Sequence, residues 1–169
     1  KTITIENTDG SKSKTEIDED GQVTSTVEIS KETVEDAKEN NKNVSLPIPP
    51  VELTDDREDA TTITVDLPED TKVEIPVDNV TSGTVAVKVN EDGSEEVIKT
   101  TLTTEDSIVV TLSDGDTVKV VDNSKHFTDV DDSYWGIDAI NFVTSREIFS
   151  GITETTFGPD LNMSRAMVW

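Results

Sequence analysis

All seven aromatic residues of this 169-residue chain (Phe127, Tyr134, Trp135, Phe142, Phe149, Phe157 and Trp169) lie beyond residue 125, as do His126 and both methionines. Any core built by residues 1–125 must therefore come from Val, Ile, Leu and Ala. Two adjoining stretches with such different core chemistry read as two modules, joined near Asp122-Asn123-Ser124. The length accommodates one medium domain or two small ones.

The first stretch reads as short strands between turns. Thr2-Ile3-Thr4-Ile5 alternates polar and apolar ahead of Asp9-Gly10, and Asp20-Gly21 precedes Val23, Val27 and Ile29. Thr61–Leu67 places Ile63, Val65 and Leu67 on one face. Val85, Val87 and Val89 lead to Asp92-Gly93 and then Val97-Ile98, a hairpin signal. Ile108–Leu112, Asp114-Gly115 and Val118–Val121 repeat that pattern. A single helix interrupts the strands: Ser30 is its N-cap, Glu32 and Glu35 face the positive end of the dipole, Val34 and Ala37 point inward, and Asn40-Asn41 ends it. Pro47, Pro49 and Pro50 punctuate the next strand. Thr54–Asp59 is an acidic connector, compatible with one lobe or with two divided near residues 54–60.

Chemistry is scarce in this stretch. Without His, Cys or Tyr it holds no Ser–His or Cys–His nucleophile. Acids are plentiful enough for a glycosidase pair, but no aromatic is present to grip a sugar ring. Asp18-Glu19-Asp20-Gly21 and Asn90-Glu91-Asp92-Gly93 have a calcium-loop flavour without full ligand spacing, and they read as hairpin turns. We expect no catalytic residues, no metal site and no cofactor. The net charge of −23 repels nucleic acid and anionic membrane surfaces and suits an extracellular setting. No apolar run approaches the ~20 residues that span a bilayer. With Lys1 first, the chain reads as a mature or excised piece of something longer.

The last 44 residues are more specific. Phe127-Thr128-Asp129-Val130, Tyr134-Trp135, Ala139-Ile140, Gly151, Phe157-Gly158-Pro159-Asp160 and Met163-Ser164-Arg165-Ala166 follow in order. This order and spacing resembles the S-layer homology (SLH) repeat, with Glu147 where the family usually has Gly and Met167 where it has Glu. Residues 84–126 resemble, more weakly, the β-rich segments that precede such repeats in surface proteins of Gram-positive bacteria. Helical spacing of Trp135, Ala139, Phe142 and Val143 predicts a helix over Trp135–Ser145, capped by Asp132 or Ser133, with Trp135 in the core. Asp129, Asp131 and Asp132 are expected to start that helix. Gly151 and Gly158-Pro159 form a loop, and Ser164 caps a second helix that the chain end truncates.

The expected architecture is β-dominated α+β: antiparallel β module(s) with one short helix over residues 1–125, then a helix-loop-helix SLH-like unit over 126–169. The resemblance implies a non-catalytic surface protein at the cell wall, anchored through pyruvylated secondary cell-wall polysaccharide. It assigns Arg165, with the amides after Ser164, to the ketal carboxylate; an ordinary exposed Arg at a helix start is the competing reading. One repeat is expected to bind only weakly. Two alternatives are an accessory module of a secreted carbohydrate-processing enzyme and a calcium-dependent adhesive module.

Overall fold

The computed structural model describes residues 1–162. The strands are β1 (Thr2–Glu6), β2 (Lys12–Ile17), β3 (Val23–Glu28), β4 (Val44–Ser45), β5 (Val51–Glu52), β6 (Thr62–Asp66), β7 (Thr71–Asp78), β8 (Thr84–Val89), β9 (Glu95–Val97), β10 (Leu102–Thr103), β11 (Ser107–Leu112) and β12 (Thr117–Asp122). Helix α1 (Lys31–Glu39) follows β3, and α2 (Ile137–Ser145) follows β12. Seven strands form one sheet in the order β1-β2-β3-β6-β12-β8-β9. The second sheet runs β10-β11-β7-β4, with β5 also pairing β7.

The two sheets share one apolar core. Val27, Ile63, Val65, Ala86, Val118 and Val120 face inward from the first sheet, and Val73, Ile75, Val77, Ile108, Val110 and Leu112 from the second. Val34 and Ala37 of α1 join the same core. With no aromatic to fill space, the interior consists of interdigitated β-branched and Leu side chains, which suit a pleated surface. Where the inner face of β2–β3 turns polar, hydroxyls pair: Thr15 and Ser25 meet at 2.8 Å, and the Ser13 hydroxyl donates to the Pro47 carbonyl.

Helix α1 forms as its residues dictate. The Ser30 side chain accepts from the Thr33 amide, Val34 and Ala37 are buried, and Asn40 is the C-cap. Both acidic hairpin turns are also as expected. The Asp18 carboxylate accepts from the Asp20 and Gln22 amides at 2.9 and 2.8 Å, and Asp92 accepts from the Ser94 amide at 2.9 Å. Gly21 and Gly93 take the positive φ these turns require, at 87° and 82°.

Strand pairing differs from expectation in three ways. First, the sheets are mixed rather than antiparallel: β3 runs parallel to β6, and β4 and β5 run parallel to β7. After β3 the chain crosses to the second sheet through α1, β4 and β5, and returns to begin β6 at the same end. Second, β11 and β12 do not form a hairpin. β11 pairs with β7 and β10, whereas β12 pairs with β6 and β8. The Asp114-Gly115 turn carries the chain from one sheet to the other and is bound to β6: Gly115 N–H donates to Val65 O at 2.9 Å, and Leu67 N–H to Asp114 at 3.0 Å. Third, β7 was not anticipated, although Val73, Ile75 and Val77 alternate along it. Its Pro76 lies between the residues paired by β4 and those paired by β5, so the missing N–H interrupts neither short ladder.

Candidate functional site

Segment 126–162 is built around a small core of Phe127, Val130 and Ile140, packed by Tyr134, Ile137 and Phe157. Phe127 and Phe157 meet with ring centroids 5.4 Å apart. The contact that orders the loop is Asp129. Its carboxylate accepts the Phe157 amide at 2.8 Å and the Gly158 amide at 2.7 Å. Beside it, the Thr128 amide and hydroxyl both donate to Thr155 O, at 2.8 and 3.0 Å. The Phe-x-Asp start and the Phe-Gly-Pro loop, nearly thirty residues apart, are thus clamped through one carboxylate.

These amides hold the Asp129 carboxyl below its ordinary value, with Phe157 contributing most. A depressed pKa adds stability that is present above the unfolded value of about 3.9 and is lost as pH falls through the folded one. Asp129→Asn should therefore weaken the aromatic unit near neutral pH and flatten its loss in acid. Near-UV circular dichroism melts at a series of pH values would check this. Equal acid slopes for parent and variant would remove Asp129 as the clamp.

The expected start of the first helix needs correction. Asp131 accepts the Ser133 amide at 2.7 Å and its hydroxyl at 2.5 Å, which uses Ser133 in an Asx turn instead of a helix cap. Helix α2 begins two residues later than expected, with Gly136 as N-cap and no side-chain capping bond. Asp129 and Asp131 therefore order loops rather than the helix start. Trp135 falls ahead of the helix and is 90 % exposed, its ring tilted against that of Tyr134 at 5.6 Å, not in the core. The buried positions of α2 are Ile140, Thr144 and Ser145, while Ala139 is exposed.

Helix α2 ends in a Schellman turn: Ile148 N–H donates to Val143 O at 3.0 Å and Glu147 N–H to Thr144 O at 3.1 Å. Glu147, at the position where the repeat usually carries Gly, has φ of 56°. A residue with a Cβ holds this left-handed conformation at a cost of about 1–3 kcal/mol. The turn opens a groove of about 570 Å³ between the helix end and the following loop, lined by Lys125, Phe127, Thr144, Glu147, Phe149 and Glu154 among others. Ile148, Phe149 and Ile152 are half exposed along this stretch.

Ser164 and Arg165, and with them the expected second helix, lie outside the described residues. His126 is exposed. Among the described residues no group of three or more His, Asp or Glu is placed to hold a metal ion, and no helix is long and apolar enough to cross a membrane. Two residues that sequence reasoning passed over are buried at the end of α2: Arg146, and Asn123, whose amide donates to Ser145 O at 2.6 Å. No local pattern marks either of them, since Arg and Asn at helix ends and junctions are ordinarily solvated.

The Phe-x-Asp start and the Phe-Gly-Pro loop it holds are thus parts of one aromatic-cored segment. Behind the β-sandwich, residues 126–166 match the family model of the S-layer homology domain. SLH domains are in general non-catalytic modules that anchor surface proteins to the cell wall, which implies a cell-surface or cell-wall association here. Comparison with the curated proteins and with the solved structures gave no match.

Proposed function

We propose that the chain is part of a bacterial surface protein in which residues 126–169 attach to secondary cell-wall polymer and residues 1–125 form a displayed, non-catalytic β module. The observation that carries this reading is the SLH match over 126–166. The Asp129 clamp supports it, since it holds the start and the loop of the matched segment together. The ligand we infer is a pyruvylated polysaccharide, with Arg165 and the amides following Ser164 receiving the ketal carboxylate. A planar guanidinium suits that group through a bidentate, charge-assisted contact.

A single repeat offers one wall of a groove, and the net charge of −23 opposes an anionic polymer. The 169-residue chain should therefore bind purified pyruvylated polymer weakly or undetectably in calorimetry. A chain carrying several such repeats in tandem with these residues should bind measurably. In that chain Arg165→Ala should cost about 1.5–3 kcal/mol, at least about tenfold in affinity, with Lys rescuing only in part. Equal affinity of parent and Arg165→Ala would remove Arg165 from the site.

A further inference from the structure

We propose that Arg146 is a lock that joins the SLH unit to the β-sandwich as one rigid body, fixing the orientation of the groove behind α2. Its side chain is fully buried at the C-terminal end of that helix. The Nε donates to Thr101 O at 2.9 Å, Nη1 to Ser82 O at 2.9 Å and Phe142 O at 3.1 Å, and Nη2 to Thr84 O at 3.3 Å. The Nη1 also reaches the Ser145 hydroxyl at 3.1 Å, and the guanidinium lies 3.6 Å from the centroid of the Phe142 ring. Three of the four carbonyls belong to the sandwich: two to the entrance of β8 and one to the approach to β10. The fourth is a terminal carbonyl of α2 itself.

No ion pair to Arg146 is formed among the described residues; burial pulls its pKa down to about 10, and desolvation is the cause. A buried cation is tolerated only where its donors are satisfied. Here the five-donor fork gathers carbonyls from separate elements, which Lys or an apolar side chain cannot do. The position also places a positive charge at the negative end of the α2 dipole.

The neighbouring contacts act in the same sense. Asn123, in the connector, donates to Ser145 O at 2.6 Å. Lys99 Nζ donates to Glu147 O at 3.4 Å. A Cβ at Gly83 would come within 1.9 Å of the Ser124 hydroxyl, so the β7–β8 loop lies directly on the connector. The link between the two parts is therefore packed structure, not a free tether. Glu147, Ile148 and Phe149 of the groove follow Arg146 immediately and inherit its position. A pull on the wall-bound unit would pass into β8 through these hydrogen bonds. The inference stands whether or not the unit binds a wall polymer.

The test uses the whole chain and two signals. Near-UV circular dichroism reports the aromatics, all beyond residue 125, and far-UV circular dichroism reports mainly the sheets. In the parent the two denaturant midpoints should coincide, and trypsin should cut slowly after Lys125. In Arg146→Gln the aromatic midpoint should fall below the sheet midpoint, and cleavage after Lys125 should speed up by at least about tenfold. Arg146→Lys should lie between. Separate midpoints in the parent would overturn the lock, as would an Arg146→Gln chain whose two midpoints move together without faster cleavage. If Arg146→Gln does not fold, Asn123→Ala must show the same separation in milder form, and coincident midpoints there would also overturn it.

Discussion

Ile75→Ala is expected to lower the unfolding free energy by about 2–5 kcal/mol, a large share of the ~5–15 kcal/mol that holds a domain together. Ile75 sits mid-strand in β7, fully buried, opposite Ile108 of β11 and facing the inner side of the seven-stranded sheet. The neighbouring core residues are short and β-branched, and their rotamers are held by the strands that carry them. They have little freedom to swing into the vacated space, so a cavity should persist. Urea unfolding followed by far-UV circular dichroism would check this, with the midpoint falling and the slope unchanged. A loss below about 1 kcal/mol would mean that the core is packed loosely enough to collapse.

Gly151→Ala should destabilise the SLH unit by about 1–3 kcal/mol. An added Cβ would lie 2.6 Å from both Thr153 O and Thr156 O and 2.7 Å from Cε1 of Phe127. Two of these three neighbours are backbone carbonyls, one of them bound by the Thr153 amide, so they cannot yield by a side-chain rotation. The third is the central ring of the aromatic core. The methyl should therefore push the loop off Phe127 and loosen the groove that Gly151 helps to line. The near-UV aromatic signal should weaken and its melting midpoint fall. An unchanged near-UV spectrum would show that the loop has slack which these distances do not suggest.

Among the described residues the groove is lined by half-exposed Ile148 and Phe149 together with Lys125, Glu147 and Glu154, and Ile152, also half exposed, is not part of the lining.

Features governed by a few consecutive residues were legible in the sequence. Helix α1 followed from the Ser30 cap and the Val34/Ala37 spacing, and the two acidic turns from their Asp20-Gly21 and Asp92-Gly93 pairs. The inward face of β6 followed from its period of two, and the SLH segment from the order of its motif residues. In each case the deciding interaction spans about four residues or fewer, or the pattern itself carries the information.

Tertiary structure alone decided which strand lies beside which. Period-two alternation assigns faces, not neighbours, so Asp114-Gly115 read as a hairpin until its bonds to β6 showed a crossing between sheets. Ser133 is a local exception: its amide and hydroxyl both bind Asp131 two residues back, and this competing turn, not a distant contact, takes the hydroxyl that was expected to cap α2. The burial of Arg146 depends on carbonyls of Ser82, Thr84 and Thr101, some forty to sixty residues away along the chain. Backbone carbonyls are present at every residue and leave no mark in a sequence. Only folding could bring three of them to one guanidinium.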